Sequence, residues 1–488
     1  MSIPNLDIFV GGRWRKGGGA QYSTHYPADG SVVATLHAAN EEDVEEAIAE
    51  AEVALPAWIA LLPHQRASIL YKIADGIRTN AEALAQLQRL DNGKPINETR
   101  ALVASAAGTF QYYAAVAETF EQTITPSRGA FTTMSMYEPL GVVAAITPWN
   151  SPIASEAQKM APALAAGCAV MVKPAEITPR MALELARICE AAGVPRGIVS
   201  VLPGKGSVIG EVLVRHPRVQ RVAFTGGTKV GKGIAAIAAE KLMPSSLELG
   251  GKSPTIICAD ADLEHAVAGV LFGIFSSSGE SCIAGSRAFA HESVYETFKA
   301  RIVASAKALR VGDPASDQTQ MGPLISAAHR ESVERYVKLG LEEGGRLLCG
   351  GARPKGGVLD KGFFYLPTIF EGLPNTARMC QEEIFGPVLV LIPWKDEADL
   401  IAQCNDNEYG LASGIWTQDP RSAWRIGRAL HTGTVWVNTY KVFSIATPFG
   451  GVKMSGTGRE KGRLGIMEYM RQKSWYWGEN EAPLPWSA

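Results

Sequence analysis

The sequence predicts an α/β fold built around a parallel sheet, and three observations carry that reading. From Gly141 onward, short β-branched runs alternate with helical stretches, the pattern that helical crossovers between parallel strands produce. Those runs end on short turns rich in glycine and proline, where ligands sit in such sheets. At 488 residues the chain is also too long for a single core, and about 150 residues per domain divides it into roughly three units.

The elements follow in order. Before Gly141 the chain reads as largely helical. Asn40 and Asp43 cap a helix whose residues Val44, Ala47, Ile48 and Ala51 share one face. A second helix runs from about Gln65 to Leu90 and stops near Gly93-Lys-Pro95. Strands are then expected at Val142–Ile146, Ala169–Val172, Ile198–Leu202, Arg221–Phe224 and Ser246–Leu249. Helices are expected at Ser155–Leu164, Met181–Ala192 and Val230–Ala239, with a further segment around Val208–Val214. After Pro254 a second alternating stretch begins, with strands at Ile256–Cys258, Arg287–Ala290 and Val388–Ile392. The turns that close the first set are Thr147-Pro-Trp-Asn150, Lys173-Pro-Ala-Glu176, Phe224-Thr-Gly-Gly-Thr228 and Glu248-Leu-Gly-Gly251.

Composition narrows the function. Lys and Arg number 47 against 49 Asp and Glu, a net charge of −2, without the basic footprint of a nucleic-acid or membrane-surface protein. The longest nearly apolar run, Ala161–Val172, is broken by Pro162 and Gly167 and falls short of the ~20 residues a spanning helix needs. The stretch from Met1 to Asp7 has no export-signal pattern, so a cytoplasmic enzyme is expected. Seven scattered cysteines, none spaced C-x-x-C, read as reduced thiols. Eight histidines without a metal-binding spacing suggest no metal site.

Each turn has a bland and a chemical reading. Tight strand-to-helix turns take glycine for steric reasons, yet Gly226 and Gly227 could also bring backbone amides to a phosphate at a helix start. Lys173 and Glu176 form a charged turn, or a pair that grips the hydroxyls of a ribose and repels a 2′-phosphate. Glu248 is a paired structural carboxylate, or a buried base with a raised pKa. Cys282, in Ser281-Cys-Ile-Ala-Gly-Ser-Arg287, is an inert core thiol or a nucleophile.

Taken together and in order, these segments resemble the aldehyde dehydrogenase superfamily. The residues are Pro148-Trp-Asn150, Lys173-Pro-Ala-Glu176, Phe224-Thr-Gly, Glu248-Leu-Gly-Gly-Lys252, Cys282 with Ala284-Gly-Ser-Arg287, Glu382-Glu-Ile-Phe-Gly-Pro387 and Pro448-Phe-Gly-Gly451. The resemblance runs from about Phe9 to Trp475. It is closest in flavour to a bacterial and fungal branch of NAD-dependent members.

The resemblance implies a Rossmann-like NAD-binding domain at 1–122 and 142–250, a catalytic domain at 251–450, and a small β oligomerisation arm at 123–141 and 464–488. It implies oxidation of an aldehyde to its acid, with NAD rather than NADP as hydride acceptor. Cys282 matches the nucleophile, Asn150 a holder of the oxyanion, and Glu248 the base that activates water. Lys173 and Glu176 match ligands of the adenosine ribose, and Glu383 with Phe385 matches the nicotinamide ribose. Trp149, Thr225, Gly226, Gly227 and Leu249 match the remaining cofactor wall. Homodimers or homotetramers are implied, joined by an arm that adds a strand to a neighbour's sheet; Phe131–Tyr137 and Lys473–Trp477 fit it.

Three departures stand out. Gly227 replaces a common serine, and Glu280 stands two before Cys282 where glutamine is usual. Ionised beside the sulfur, Glu280 would raise the thiol pKa; turned away, it would pair with a base. Positions that are often aromatic or large in the substrate tunnel are Ala101, Ser105, Ser151, Ser155, Gln158 and Ser276. Phe443 and Phe449 remain as aromatic walls, and Lys441 stands near the mouth. The expectation is a wide, polar tunnel for a bulky or oxygenated aldehyde, a carboxylated one included. Two other readings compete: a coenzyme A-acylating dehydrogenase, which often lacks a glutamate at position 248, and a cysteine hydrolase with His265 as its base, a residue that reads as lying on a surface helix.

Overall fold

The computed structural model describes residues 7–479 and Trp486. Most of the Met1–Asp7 stretch, and residues 480–485, 487 and 488 of the expected arm, therefore lie outside the described residues.

Two large sheets dominate. The first has eight strands in the order Gly456–Thr457, Ser245–Glu248, Val219–Thr225, Val142–Ile146, Ala169–Lys173, Val199–Val201, Ile8–Val10, Arg13–Arg15. Its five middle strands are parallel. Helices Pro152–Ala166, Arg180–Ala192 and Thr228–Glu240 connect them, as the alternation predicts. Strands Val142–Ile146 and Ala169–Lys173 are buried along their whole length, which is why they read as continuous apolar runs rather than alternating ones.

The second sheet has seven strands, in the order Arg346–Cys349, Thr368–Glu371, Val388–Trp394, Arg287–His291, Pro254–Ile257, Ala412–Trp416, Thr434–Val437. The chain then returns to the first sheet. Gly456–Thr457 pairs antiparallel with Ser245–Glu248, and the helix Gly462–Met467 carries Ile466 into the first sheet's core.

The region before Gly141 is less helical than expected. Besides its helices it holds strands Ile8–Val10, Arg13–Arg15, Gln21–His25, Val32–His37, Thr123–Thr125 and Phe131–Pro139. The first five of these are short and their apolar alternation is weak, while Phe131–Pro139 holds the alternating segment expected for the arm; the Gly11-Gly12 turn, with both φ positive, folds the first two into a hairpin. The capping box of Asn40 and Asp43 is present on the helix Glu41–Ala60.

The single helix expected from Gln65 to Leu90 is two, Pro63–Thr79 and Ala81–Asn92. Asn80 breaks it: its side-chain amide donates to the Gly76 carbonyl at 2.8 Å, a local bond that competes with helix continuation. Gly93 ends the second piece in the left-handed conformation at φ 73°. The long helix Ile96–Glu118 follows.

The two alternating segments do not reach out separately. Phe131–Pro139 and Met470–Gly478 pair antiparallel with each other, Ser135 opposite Ser474, and Thr123–Thr125 completes a three-stranded sheet. This sheet's last strand begins at Met470, whereas residues 464–469 belong to the packing around the first sheet, where Ile466 and Tyr469 are buried. Among the described residues no helix is long and apolar enough to cross a membrane.

Candidate active site

Strand register puts the site together. Thr225 lies opposite Glu248, and Ile146 opposite both Phe224 and Lys173. The carboxyl ends of four parallel strands are thus level, so the turns carrying Asn150, Lys173, Thr225–Gly227 and Glu248 line one edge. Cys282 comes from the other sheet, on the loop that leads into Arg287–His291.

That loop is fixed from below. After the helix Leu263–Phe275 the backbone turns left-handed at Ser277, Ser278 and Gly279 (φ 57°, 55° and 75°). Non-glycine residues hold this conformation only where neighbours impose it. Glu98 does so, accepting from the Ser277 amide at 2.8 Å and the Ser277 hydroxyl at 2.7 Å.

Cys282, Asn150, Glu248 and Thr225 line one cavity of about 520 Å³. All the tunnel positions named from the sequence line it too: Ala101, Ser105, Ser151, Ser155, Gln158, Ser276, Lys441, Phe443 and Phe449. The sequence reading missed four charged residues of the neighbourhood. Glu98, Glu460 and Lys461 line the cavity, and Lys159, fully buried, forms an ion pair with Glu460. Lys159 had a signal: it stands four residues after Ser155, on the same face of the helix Pro152–Ala166. Glu460 and Lys461 sit on an irregular segment with no period to betray them.

Electrostatics separate the roles. Burial pushes the Cys282 thiol up to about 12, with Glu383 and Glu248 adding to the rise and Lys441 opposing it. Burial, then the Glu460 charge, holds Glu248 well above the ordinary carboxylate range, and neither of its oxygens has a hydrogen-bond partner. The same rise makes the carboxylate, once ionised, a stronger base. Gly450 keeps the space open, since a Cβ there would stand 2.8 Å from Glu248 Oε1.

Asn150 Nδ2 donates to the Glu280 carbonyl oxygen at 3.0 Å, which orients the amide and leaves its second hydrogen free. The Cys282 amide donates to no backbone carbonyl among the described residues. Two donors therefore remain for an oxygen placed on a carbon attached to the sulfur.

Glu280 is turned away from the thiol. Its Oε1 accepts the Ile325 amide at 2.8 Å and stands 3.6 Å from Nε2 of His329. His329 in turn bonds the Phe385 carbonyl oxygen at 2.7 Å, and burial lowers its pKa, so the neutral ring donates through Nε2. Burial raises Glu280 to about 8. Of the two arrangements open from the sequence, the structure shows the one in which Glu280 pairs elsewhere.

The remaining positions form a second wall. The Trp149 and Phe385 rings meet edge-on at 5.3 Å, and Glu383 Oε1 accepts the Gly251 amide at 3.0 Å. Lys173 is buried, with its ammonium on the Pro174 carbonyl at 2.6 Å, and burial lowers its pKa to about 8. Gly227 precedes the helix Thr228–Glu240 with no side-chain cap, and a Cβ there would meet nothing within 4 Å. Leu249 packs over Gly231, where a Cβ would come within 2.4 Å of Leu249 Cδ2. Among the described residues no cluster of His, Cys, Asp and Glu is arranged to hold a metal ion. His265 is exposed and lies outside the cavity lining, so it does not serve Cys282.

Known proteins match this arrangement along nearly the whole chain. The sequence profile described as the aldehyde dehydrogenase family matches residues 14–475, and the chain belongs to that family of aldehyde-oxidising enzymes. DhaS of Bacillus subtilis (strain 168) is 41% identical over 459 residues, 93% of this chain and 92% of that protein. Betaine aldehyde dehydrogenase of the same organism is 39% identical over 487 residues, 98% of this chain and 99% of that protein. Among solved structures, PnpE in complex with nicotinamide adenine dinucleotide superposes with a TM-score of 0.96 at 39% identity, covering 98% of this chain and 99% of that one; PnpE has also been solved from Pseudomonas sp. WBC-3.

Proposed function

We propose that the cavity at Cys282 oxidises a bulky or polar aldehyde to its carboxylic acid with NAD as acceptor, and that water releases the product. One observation carries this reading: a thiol, a free amide donor and an unpartnered buried carboxyl, from three separate segments, converge on one cavity.

The residues of the second wall fit NAD. The uncapped start of Thr228–Glu240, with open space at Gly227, suits a pyrophosphate. Lys173 and Glu176 suit the adenosine ribose, and a carboxylate there disfavours a 2′-phosphate. Glu383, Phe385, Trp149, Thr225, Gly226 and Leu249 would hold the nicotinamide end. When bound, NAD supplies a two-electron acceptor for the substrate's hydride and a cationic ring that favours the thiolate.

The chain's own residues perform the rest. Cys282 passes its proton to Glu248 in its ionised form and forms a C–S bond to the aldehyde carbon, and the carbonyl electrons move onto oxygen. The Asn150 amide and the Cys282 N–H hold that oxyanion. Once the carbon has been oxidised, Cys282 carries a thioester. Glu248 takes a proton from water, the oxygen bonds to the thioester carbon, and the C–S bond breaks to free the acid and the thiolate. The Lys159–Glu460 pair beside Glu248 offers a route for that proton to leave.

Retention of Glu248 favours water over coenzyme A as acyl acceptor, and the exposed His265 disfavours a hydrolase. Seven free cysteines support a reducing, cytoplasmic setting. The three-stranded sheet leaves Trp475, Tyr476 and Trp477 exposed, which supports its use as the arm of a homodimer or homotetramer. The division into an NAD-binding part around the first sheet and a catalytic part around the second follows the two sheets.

The test is NADH formation by the purified enzyme across aliphatic, aromatic and carboxylated aldehydes, beside a Cys282→Ala control. Turnover that needs no coenzyme A and disappears in the control supports the proposal. Turnover only with coenzyme A, or hydrolysis without NAD, replaces it.

A further inference from the structure

The cavity contains two ammonium groups, and neither makes an ion pair with the carboxylates around it. Lys441 Nζ donates to the Ser276 hydroxyl at 2.8 Å, a neutral partner. Lys461 Nζ lies 3.6 Å from the Phe443 ring centre and 5.4 Å from that of Phe449. Neither lysine takes part in an ion pair among the described residues, and both line the cavity.

The carboxylates nearby are otherwise engaged. Glu98 is bound by the Ser277 amide and hydroxyl and faces Lys94 at 3.8 Å. Glu460 is paired with Lys159. Glu248 is buried and makes no ion pair with either lysine, and its burial disfavours the charged form. Burial lowers both ammoniums to about 8, more than Glu98 beside Lys441 and Glu460 beside Lys461 offset. An aromatic face returns less to a cation than its removal from water costs.

We infer that the missing anion arrives with the substrate: the aldehyde bears a carboxylate at the end away from its carbonyl, bound by Lys461 and Lys441 above the Phe443–Phe449 wall. This rests on the dehydrogenase reading above and names its substrate class. The serine hydroxyls and Gln158 around the cavity then act as further donors to an oxygen-rich chain. A fixed cation, as in betaine aldehyde, is repelled by the same two groups.

The test uses aldehydes matched in shape and differing in charge: 4-oxobutanoate against butanal, and 4-carboxybenzaldehyde against 4-methylbenzaldehyde, with betaine aldehyde as the cation. At pH 7 the carboxylated member of at least one pair is expected to have a kcat/KM ten-fold or more above its neutral partner, with betaine aldehyde the poorest. Lys461→Met and Lys441→Met are expected to erase that preference by raising KM for the carboxylated aldehydes more than for their neutral partners, with Lys461→Arg restoring it. Equal loss on charged and neutral aldehydes, or an unchanged preference, overturns the inference.

A second readout needs no turnover. Succinate and terephthalate are expected to slow iodoacetamide alkylation of Cys282, followed by mass spectrometry, in the wild type and not in the lysine variants. Protection that persists in both variants, or is absent from the wild type, overturns the anion site. Protection without NADH formation from any aldehyde sinks the dehydrogenase reading instead.

Discussion

The carboxylate of Glu383 occupies the space that a side chain at Gly250 would need: a Cβ there would stand 2.3 Å from Glu383 Oε2. One residue on, the Gly251 amide is bound by the same carboxylate, and a Cβ on Gly251 would meet the Cys282 carbonyl oxygen at 2.4 Å. The two glycines thus let the proposed ribose ligand and the backbone of Cys282 close on a single turn.

Gly250→Ala is therefore expected to displace Glu383 while leaving Cys282 in place. The KM for NAD should rise about ten-fold or more, equivalent to about 1.4 kcal/mol or more of lost binding. Steady-state kinetics at varied NAD check this; alkylation of Cys282 by iodoacetamide should keep its rate.

Glu280→Gln should change stability rather than catalysis. Glu280 holds its proton to about 8 in the folded state against an ordinary 4.5. Between those values the folded state binds more protons than the unfolded one, so the group's contribution is full below about 4.5 and is lost as pH rises toward 8. Glutamine can still accept the Ile325 amide. The variant's Tm should exceed the wild type's at pH 8.5 and approach it at pH 5. A large shift of the kcat/KM pH profile would contradict the outward orientation of the carboxylate.

Gly227→Ser should be accepted without strain, because the space around a Cβ there is empty and the backbone is extended at φ −69°. A serine would cap Thr228–Glu240, a gain of a few tenths of a kcal/mol over glycine. It would also offer a hydroxyl to the pyrophosphate. A higher Tm and an equal or lower KM for NAD are expected.

Lys159→Met should be costly. Breaking a buried pair from one side leaves an uncompensated charge, a loss of about 3–5 kcal/mol, and here the stranded charge would be Glu460. Lys159→Met with Glu460→Leu should recover much of that stability in denaturant melts without recovering activity.

How much was legible follows from the kind of signal each residue carries. Asn150, Glu248 and the glycine turns lie at or just after strand ends, where a change of period marks them, whereas Cys282 lies in a loop before a strand and stands out only through its place among the ordered motifs. The break at Asn80 came from one side-chain amide that no periodicity records. The mutual pairing of Phe131–Pro139 with Met470–Gly478 joins segments over 300 residues apart, and alternation shows only that each needs a partner. Lys461 was hidden because a lone lysine in a loop reads as solvated; only the fold turns it inward over two phenylalanine rings.

The return of Gly456–Thr457 to Ser245–Glu248 has a consequence for how the enzyme is made. Residues 248 and 456 are 208 positions apart, so at about 5–20 residues per second the ribosome needs roughly 10–40 s to deliver the closing strand after the one it covers. Through that interval the nascent chain carries an open sheet edge beside Glu248. Glu460 and Lys461 emerge only afterwards, and a polypeptide released early would hold every segment of the first sheet's middle and still have no finished active site.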